Sequence, residues 1–253
     1  IRLAYAERLQ AAYEALQHQD MSAALAAGSR ALVYCVQAGA WDRLRDFAGW
    51  LVTSAGDPRL LAALVPHLQT AAESAPAGQR RWCCLSYLAD ALKNGGRPDA
   101  SLPFFEQAAT QARADAEAGG DDAQQAWGHL AVITGNWAIA LVMNGELDAA
   151  RQRKLDSAEA ERQAGRPAIH VIASELEALR IDIMQGEVAA ALPAVETRLA
   201  QIEAWWQRHS AGQRVPEAPD AEILARAFIA AFDIATDAHF AQEDWPAALC
   251  RID

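Results

Sequence analysis

Glycine recurs where apolar-periodic stretches end, at Gly39, Gly56, Gly95-Gly96, Gly119-Gly120, Gly145, Gly165 and Gly186. A glycine in that place stops a helix, because it takes a left-handed conformation that other residues resist. Helix starts are marked as well. Asp57-Pro58 sets an N-cap acid before a first-turn proline, Asp220 follows Pro219, Asp244 precedes Trp245-Pro246, and Asp121 or Asp122 can cap the segment holding Trp127. This punctuation predicts helices over 2–17, 21–38, 41–54, 58–75, 79–94, 99–118, 122–143, 147–164, 168–185, 188–209, 221–242 and from 245 onward. No alternating strand pattern of useful length competes. Most turns are short enough to force antiparallel neighbours, and the one long loop runs from Ser210 to Pro219. Pro103 falls within a first turn, whereas Pro66 and Pro193 are expected to kink or shorten their helices.

Four stretches repeat one layout. They are Leu88-Ala89 through Gly96, Pro98 and Ser101; Trp137-Ala138 through Gly145, Leu147 and Ala150; Leu179 through Gly186, Val188 and Ala191; and Ala235 through Trp245 and Ala248, with Glu243 in place of the glycine. In each, a helix ends, an apolar residue or proline plugs the turn, and a small residue follows three positions later. The small residue belongs where two helices cross, since a bulky side chain there would push the axes apart.

Composition agrees with packed helices. Hydrophobic residues make up 52% of the 253, much of it alanine, the best helix former, while glycine (15) and proline (10) are sparse. A formal net charge of −11 argues against general binding to a phosphate backbone, and the short clusters Gln79-Arg80-Arg81 and Arg151-Gln152-Arg153-Lys154 read as solvated helix faces. Cys35, Cys83, Cys84 and Cys250 form no Cys-x-x-Cys pair and read as small buried hydrophobes of a reducing, cytoplasmic compartment. No uninterrupted apolar run reaches the ~18–20 residues that span a bilayer, and no signal peptide is visible, so no membrane partner is expected. A start at Ile1 and an end a few residues into a new helix suggest a fragment of a longer polypeptide, whose other domains are possible contacts.

The repeated layout resembles the tetratricopeptide-repeat (TPR) family of helix-turn-helix repeats. Trp82 to Ala108 matches best, with Leu88, Ala89, Leu92, Gly96, Ser101, Phe105 and Ala108 at the family's apolar and small positions. Asn136, Trp137, Ala138, Leu141, Gly145, Leu147 and Ala150 match next, and Met21 to Leu25 and Gly39-Ala40-Trp41 more loosely. The steps Ser101 to Ala150, Ala150 to Ala191 and Ala191 to Ala248 span 49, 41 and 57 residues, longer than the family's ~34. The resemblance implies an all-α fold, a right-handed α-solenoid of about six antiparallel helix hairpins in one TPR-like domain over 1–253, with weaker repeats in 1–78 and clearer ones in 79–253. Long alanine-rich repeats of this kind also look like the sensor arrays of large bacterial signalling proteins, STAND-type ATPases among them.

Residues that carry chemistry are scattered. No nucleotide-binding signature, nucleophile elbow or His-Glu-x-x-His occurs, so no enzyme activity, cofactor or metal is expected. The nearest group to a metal cluster is Asp233, Asp237, His239 and Glu243, whose two pairs lie on different helix faces. Glu175, Glu177, Arg180 and Asp182 read as solvated charges rather than acid–base machinery. Trp205-Trp206 are adjacent on a helix and point ~100° apart, so one is expected inward and the other toward a partner.

The resemblance implies that the first helix of each pair lines a binding surface. Its polar positions facing away from the hairpin core are Asp90, Lys93, Asn94, Asn136, Arg180, Asp233 and Asp237, which with Trp206 make the expected partner-binding set. The expected function is a protein-interaction scaffold or sensor module holding a partner peptide, a helix or another domain of its parent chain. The alternative is a small-ligand-sensing repeat domain of a STAND-type protein.

Overall fold

A computed structural model describes residues 1–54 and 58–242. Among them eleven α-helices follow one another and no strand occurs: α1 (Arg2–Leu16), α2 (Met21–Ala38), α3 (Trp41–Ser54), α4 (Pro58–Ser74), α5 (Gln79–Asn94), α6 (Pro98–Glu117), α7 (Ala123–Met143), α8 (Leu147–Gln163), α9 (Ala168–Met184), α10 (Val188–Ser210) and α11 (Ala221–Ala241). Each end lies within one residue of its expected place. Gly56, Asp57, Glu243, Asp244, Trp245, Ala248, Cys250 and the helix expected from 245 lie outside the described residues. Pro66 and Pro193 do not shorten α4 and α10, which run through them. The missing N–H of each proline is outweighed by the face its helix buries, Leu61, Leu64 and Leu68 in α4 and Val195, Leu199 and Ile202 in α10.

The turns share one hydrogen-bonding scheme. Gly145 and Gly186 have φ of 79° and 89°, and the N–H after each reaches back five residues, Glu146 to the Leu141 carbonyl and Glu187 to that of Asp182, both at 2.9 Å. This closes carbonyls that a helix end otherwise leaves open. In Gly95-Gly96 only the second glycine is left-handed, and Arg97 bonds back to Leu92 at 2.9 Å. Pro98, Leu147 and Val188 are half-buried plugs. At the starts, the Asp220 carboxylate accepts from the Glu222 and Ile223 amides, and Asp20 caps α2 in the same manner by accepting from Ala23.

The chain divides into two compact units, Ile1–Ala126 and Trp127–Asp253. In the first, α1 pairs with α2, α4 with α5 and α5 with α6, while α2 also packs on α4 and α3 on α5. Contact with both the next helix and the next but one is the mark of stacked hairpins. Tyr13 of α1 meets Phe47 and Trp50 of α3 edge-on, with ring centroids 5.9 and 4.4 Å away. Trp82 of α5 donates its indole N–H to Asp115 of α6 at 2.8 Å.

In the second unit α8 pairs with α9, α9 with α10 and α10 with α11, and α9 also packs on α11. Ser157 of α8 donates to the Ala131 carbonyl of α7 at 2.8 Å, and the Arg153 guanidinium lies 4.6 Å from the Trp137 ring centre. The core here is built by α9, α10 and α11 together with the long loop, which folds Val215 and Ala218 inward. The Ile169 amide fastens that loop by donating to the Glu217 carbonyl at 3.0 Å.

Ser101, Ala150 and Ala191, the small residues placed at crossings, are all buried. Sequence reading needs one correction at α7. The helix holds no uninterrupted apolar run, yet its average hydropathy and its 21 residues are enough to cross a membrane. Polar residues such as Thr134 and Asn136 break the run without lowering the mean far, and half of the apolar window is buried inside the protein.

Ala150→Leu is expected to cost about 1–3 kcal/mol of stability through overpacking. Gly145→Ala meets no atom within 4 Å of the added carbon and is expected to cost about 1 kcal/mol through its backbone alone. Urea unfolding followed by circular dichroism measures both, and an Ala150→Leu variant as stable as the native chain would remove the crossing argument.

Candidate functional site

The expected partner-binding residues on first helices fall into two groups. Asp90, Lys93 and Asn94 stand on α5 in the first unit; Asn136, Arg180, Asp233 and Asp237 stand on α7, α9 and α11 in the second. Asn94, Arg180, Asp233 and Asp237 are exposed and Asn136 is half-buried. Lys93 departs from expectation. It was placed facing away from the hairpin, but it is only 5% exposed. Its ammonium bonds Asp90 at 2.9 Å and lies 5.8 Å from the ring centre of Phe105 on α6. A lysine can turn inward in this way when its aliphatic stem covers apolar surface and its charge has a carboxylate beside it. The pair Asp90–Lys93 thus belongs to the hairpin's packing.

Trp205 and Trp206 diverge in exposure: Trp205 is 6% exposed within the core of α9, α10 and α11, and Trp206 is 39% exposed. Its neighbours in exposure are more informative. Among the described residues of the second unit, the other large apolar side chains left in water are Val132, Ile139 and Met143 on α7, Met184 on α9 and Ile229 on α11, each more than 40% exposed. All five stand on first helices. They also interleave with the polar candidates at helical spacing: Val132, Asn136, Ile139 and Met143 on one side of α7, Arg180 and Met184 four apart on α9, and Ile229, Asp233 and Asp237 in steps of four on α11. Each first helix of this unit therefore shows water a mixed face of apolar side chains and polar groups. Sequence reading found the polar half only. The apolar half was hidden because α7 is apolar on most sides, and periodicity alone does not tell a buried valine from an exposed one.

Two of the α9 carboxylates, Glu175 and Asp182, are ion-paired rather than solvated charges. Glu175 is gripped by Arg162 of α8 and by Arg198 of α10, the latter at 2.8 Å, and Asp182 is bonded by Arg151 of α8. Asp233 and Asp237 are exposed while His239 of the same helix is buried, with Nε2 3.1 Å from the Glu196 carboxylate of α10. These groups do not converge on one point. Among the described residues no cluster of three or more such side chains is placed to hold a metal ion. Within the basic clusters, Arg80 pairs with Asp42, Arg151 with Asp182, and Arg153 with Asp156 and the Trp137 ring. Burial pushes the Cys83 and Cys84 thiols up to about 12, and the nearby Cys84 adds to the effect on Cys83. Thiols so far from ionising are packing groups rather than nucleophiles.

No protein-family model and no curated protein matches the sequence. Solved structures do match. The chain superposes on BtubC (BKLC) from P. vanneervenii with a TM-score of 0.51 at 17% identity, covering 100% of this chain and 87% of that one. It superposes on a Podosopora anserina protein of kinesin-light-chain type with nearly identical TPR-like repeats, again at a TM-score of 0.51, at 12% identity over 90% of this chain and 91% of the other. At such identities the likeness defines the fold, and the fold is that of TPR-like helical repeats.

Lys93→Ala is expected to destabilise the chain by about 2 kcal/mol, because it removes a buried aliphatic stem from its packing and a cation from beside the half-buried Asp90 carboxylate. Asn94→Ala, at an exposed position, is expected to stay within about 0.5 kcal/mol of the native value. Thermal and urea unfolding of the two variants side by side checks this; equal effects would return Lys93 to the surface.

Proposed function

We propose that this chain is a protein-interaction module whose first helices in the second unit, α7, α9 and α11, receive an extended peptide or a helix of a protein partner. The observation that carries the reading is the set of exposed apolar side chains Val132, Ile139, Met143, Met184 and Ile229, confined to first helices and alternating with Asn136, Arg180, Asp233 and Asp237. A helix surface with apolar anchors at steps of three and four accepts a complementary apolar strip, and the polar groups between them fix its register. Removing about 100 Å² of apolar surface from water is worth roughly 2–3 kcal/mol, so a few such anchors supply useful affinity. The TPR-like fold supports the reading, since stacked hairpins display a long surface without needing a reactive centre. Trp206, 39% exposed on the second helix α10, is a separate candidate anchor outside this set, and a partner segment can equally come from another domain of a parent chain. The reading is of a non-enzymatic scaffold in the cytoplasm, with its described thiols Cys35, Cys83 and Cys84 buried and free.

Peptides selected from a random displayed library against the full chain provide the probe. Met143→Asp and Ile229→Asp are each expected to weaken the selected peptides about tenfold or more, and Arg180→Glu to change which charged residues the peptides carry. Peptides that bind the Met143→Asp/Ile229→Asp double variant as tightly as the native chain would place recognition elsewhere.

A further inference from the structure

A cleft of about 400 Å³ opens in the second unit, away from the residues just described. Its wall comes from the end of α8 with Arg162, the following turn with Arg166, one side of α9 with Ala168, Val171, Ile172 and Glu175, and the facing turn of α10 with Arg198 and Gln201. Three guanidinium groups thus meet one carboxylate in the lining of a chain whose net charge is −11. Other described arginines, such as Arg43 with Glu7 and Arg151 with Asp182, stand with a single acid.

The carboxylate acts as a support. Glu175 is mostly buried; Arg162 donates to it and Arg198 forms an ion pair with it at 2.8 Å. Arg162 also bonds Glu159 at 3.0 Å, Arg198 bonds the Gln201 amide oxygen at 3.2 Å, and Arg166 stands 3.7 Å from Glu161, two acids outside the lining. Each guanidinium carries five N–H donors in a rigid fork, so these bonds orient the groups and leave donors over. The arginine side chains remain between a third and a half exposed, open to an incoming molecule. Ala168, Val171 and Ile172 add an apolar strip beside them.

We propose that this cleft is a binding site for a small organic carboxylate with a short aliphatic chain. The planar carboxylate matches the fork of a guanidinium, and the aliphatic carbons match the strip from α9. A compact dianion such as phosphate suits the site less well, because Glu175 repels a second negative charge and the apolar strip offers it nothing. The same chemistry is carried by a free carboxylic acid and by the last residue of a peptide, and the test separates the two.

Calorimetric titration of the full chain uses 4-methylpentanoate, its uncharged amide, inorganic phosphate, and a leucine-ended peptide with free or amidated terminus. Saturable binding of the carboxylate, with the amide and phosphate about tenfold weaker or worse, is the expected result. Arg198→Gln is expected to reduce the affinity about tenfold. Arg166→Gln, at a half-exposed side chain, is expected to reduce it several-fold while leaving helicity and the melting temperature unchanged. A free-terminus peptide that binds tighter than the acid, again through Arg198, upholds the carboxylate site and assigns it to a chain end. Equal binding of acid and amide, phosphate binding as tightly as the acid, no saturable binding of any probe, or indifference to both arginine changes would overturn the proposal.

Discussion

A helix hairpin of this kind cannot bury its own apolar face, and everything else in the structure follows from how that face is covered. The cover is the next hairpin, and it fits only because the residues at the crossings are small. Ser101, Ala150 and Ala191 are all buried, and in a close-packed interior a leucine or a charged group in their place would push its neighbours aside. The glycine turns enforce the arrangement from outside. Each sends the chain back antiparallel while closing the carbonyls of the helix it ends, so the next helix begins in register with the last.

That constraint also explains where function can reside. In the second unit α9 packs on α8, α10 and α11, so most of its circumference is used up. What is left over differs along its length. Near Glu175 the remaining surface joins α8 and α10 in an arginine-lined cleft, while Arg180 and Met184 lie farther along the helix in water. The first helices consequently have two tasks, holding the stack together on one side and showing a mixed surface on the other. Val132, Ile139 and Met143 are exposed on α7 although the same helix buries Leu130, Ile133 and Leu141. Apolar side chains left in water on such a helix are a standing free-energy cost that a partner would relieve.

Charge is distributed on similar lines. The chain is acidic overall, and several of its basic side chains are tied into neighbours: Arg153 above Trp137, Lys93 beside Asp90 and Phe105, and Arg162 and Arg198 about Glu175. Most of these ties are partly exposed and contribute little stability singly. Their effect is to set the direction of long side chains that would otherwise sample many rotamers. An acid at the base of a cleft can therefore prepare two arginines for a third party.

Helix limits, turn positions and crossing residues were legible in the sequence because each depends on neighbours within one or two turns. Gly145 stops α7, Asp220 caps α11 and Ala150 sits three residues after Leu147, and all three statements are local. The polar half of the exposed first-helix surface was legible for the same reason, and so was the opposite fate of Trp205 and Trp206. The tertiary structure alone decided that Lys93 turns inward, that Val215 and Ala218 of a polar-looking loop enter the core, that α7 leaves apolar residues in water, and that Arg162, Glu175 and Arg198 meet. Those outcomes depend on side chains from different helices or on which face a neighbouring helix covers. Helical periodicity records that a residue has a face; only packing settles what stands opposite it.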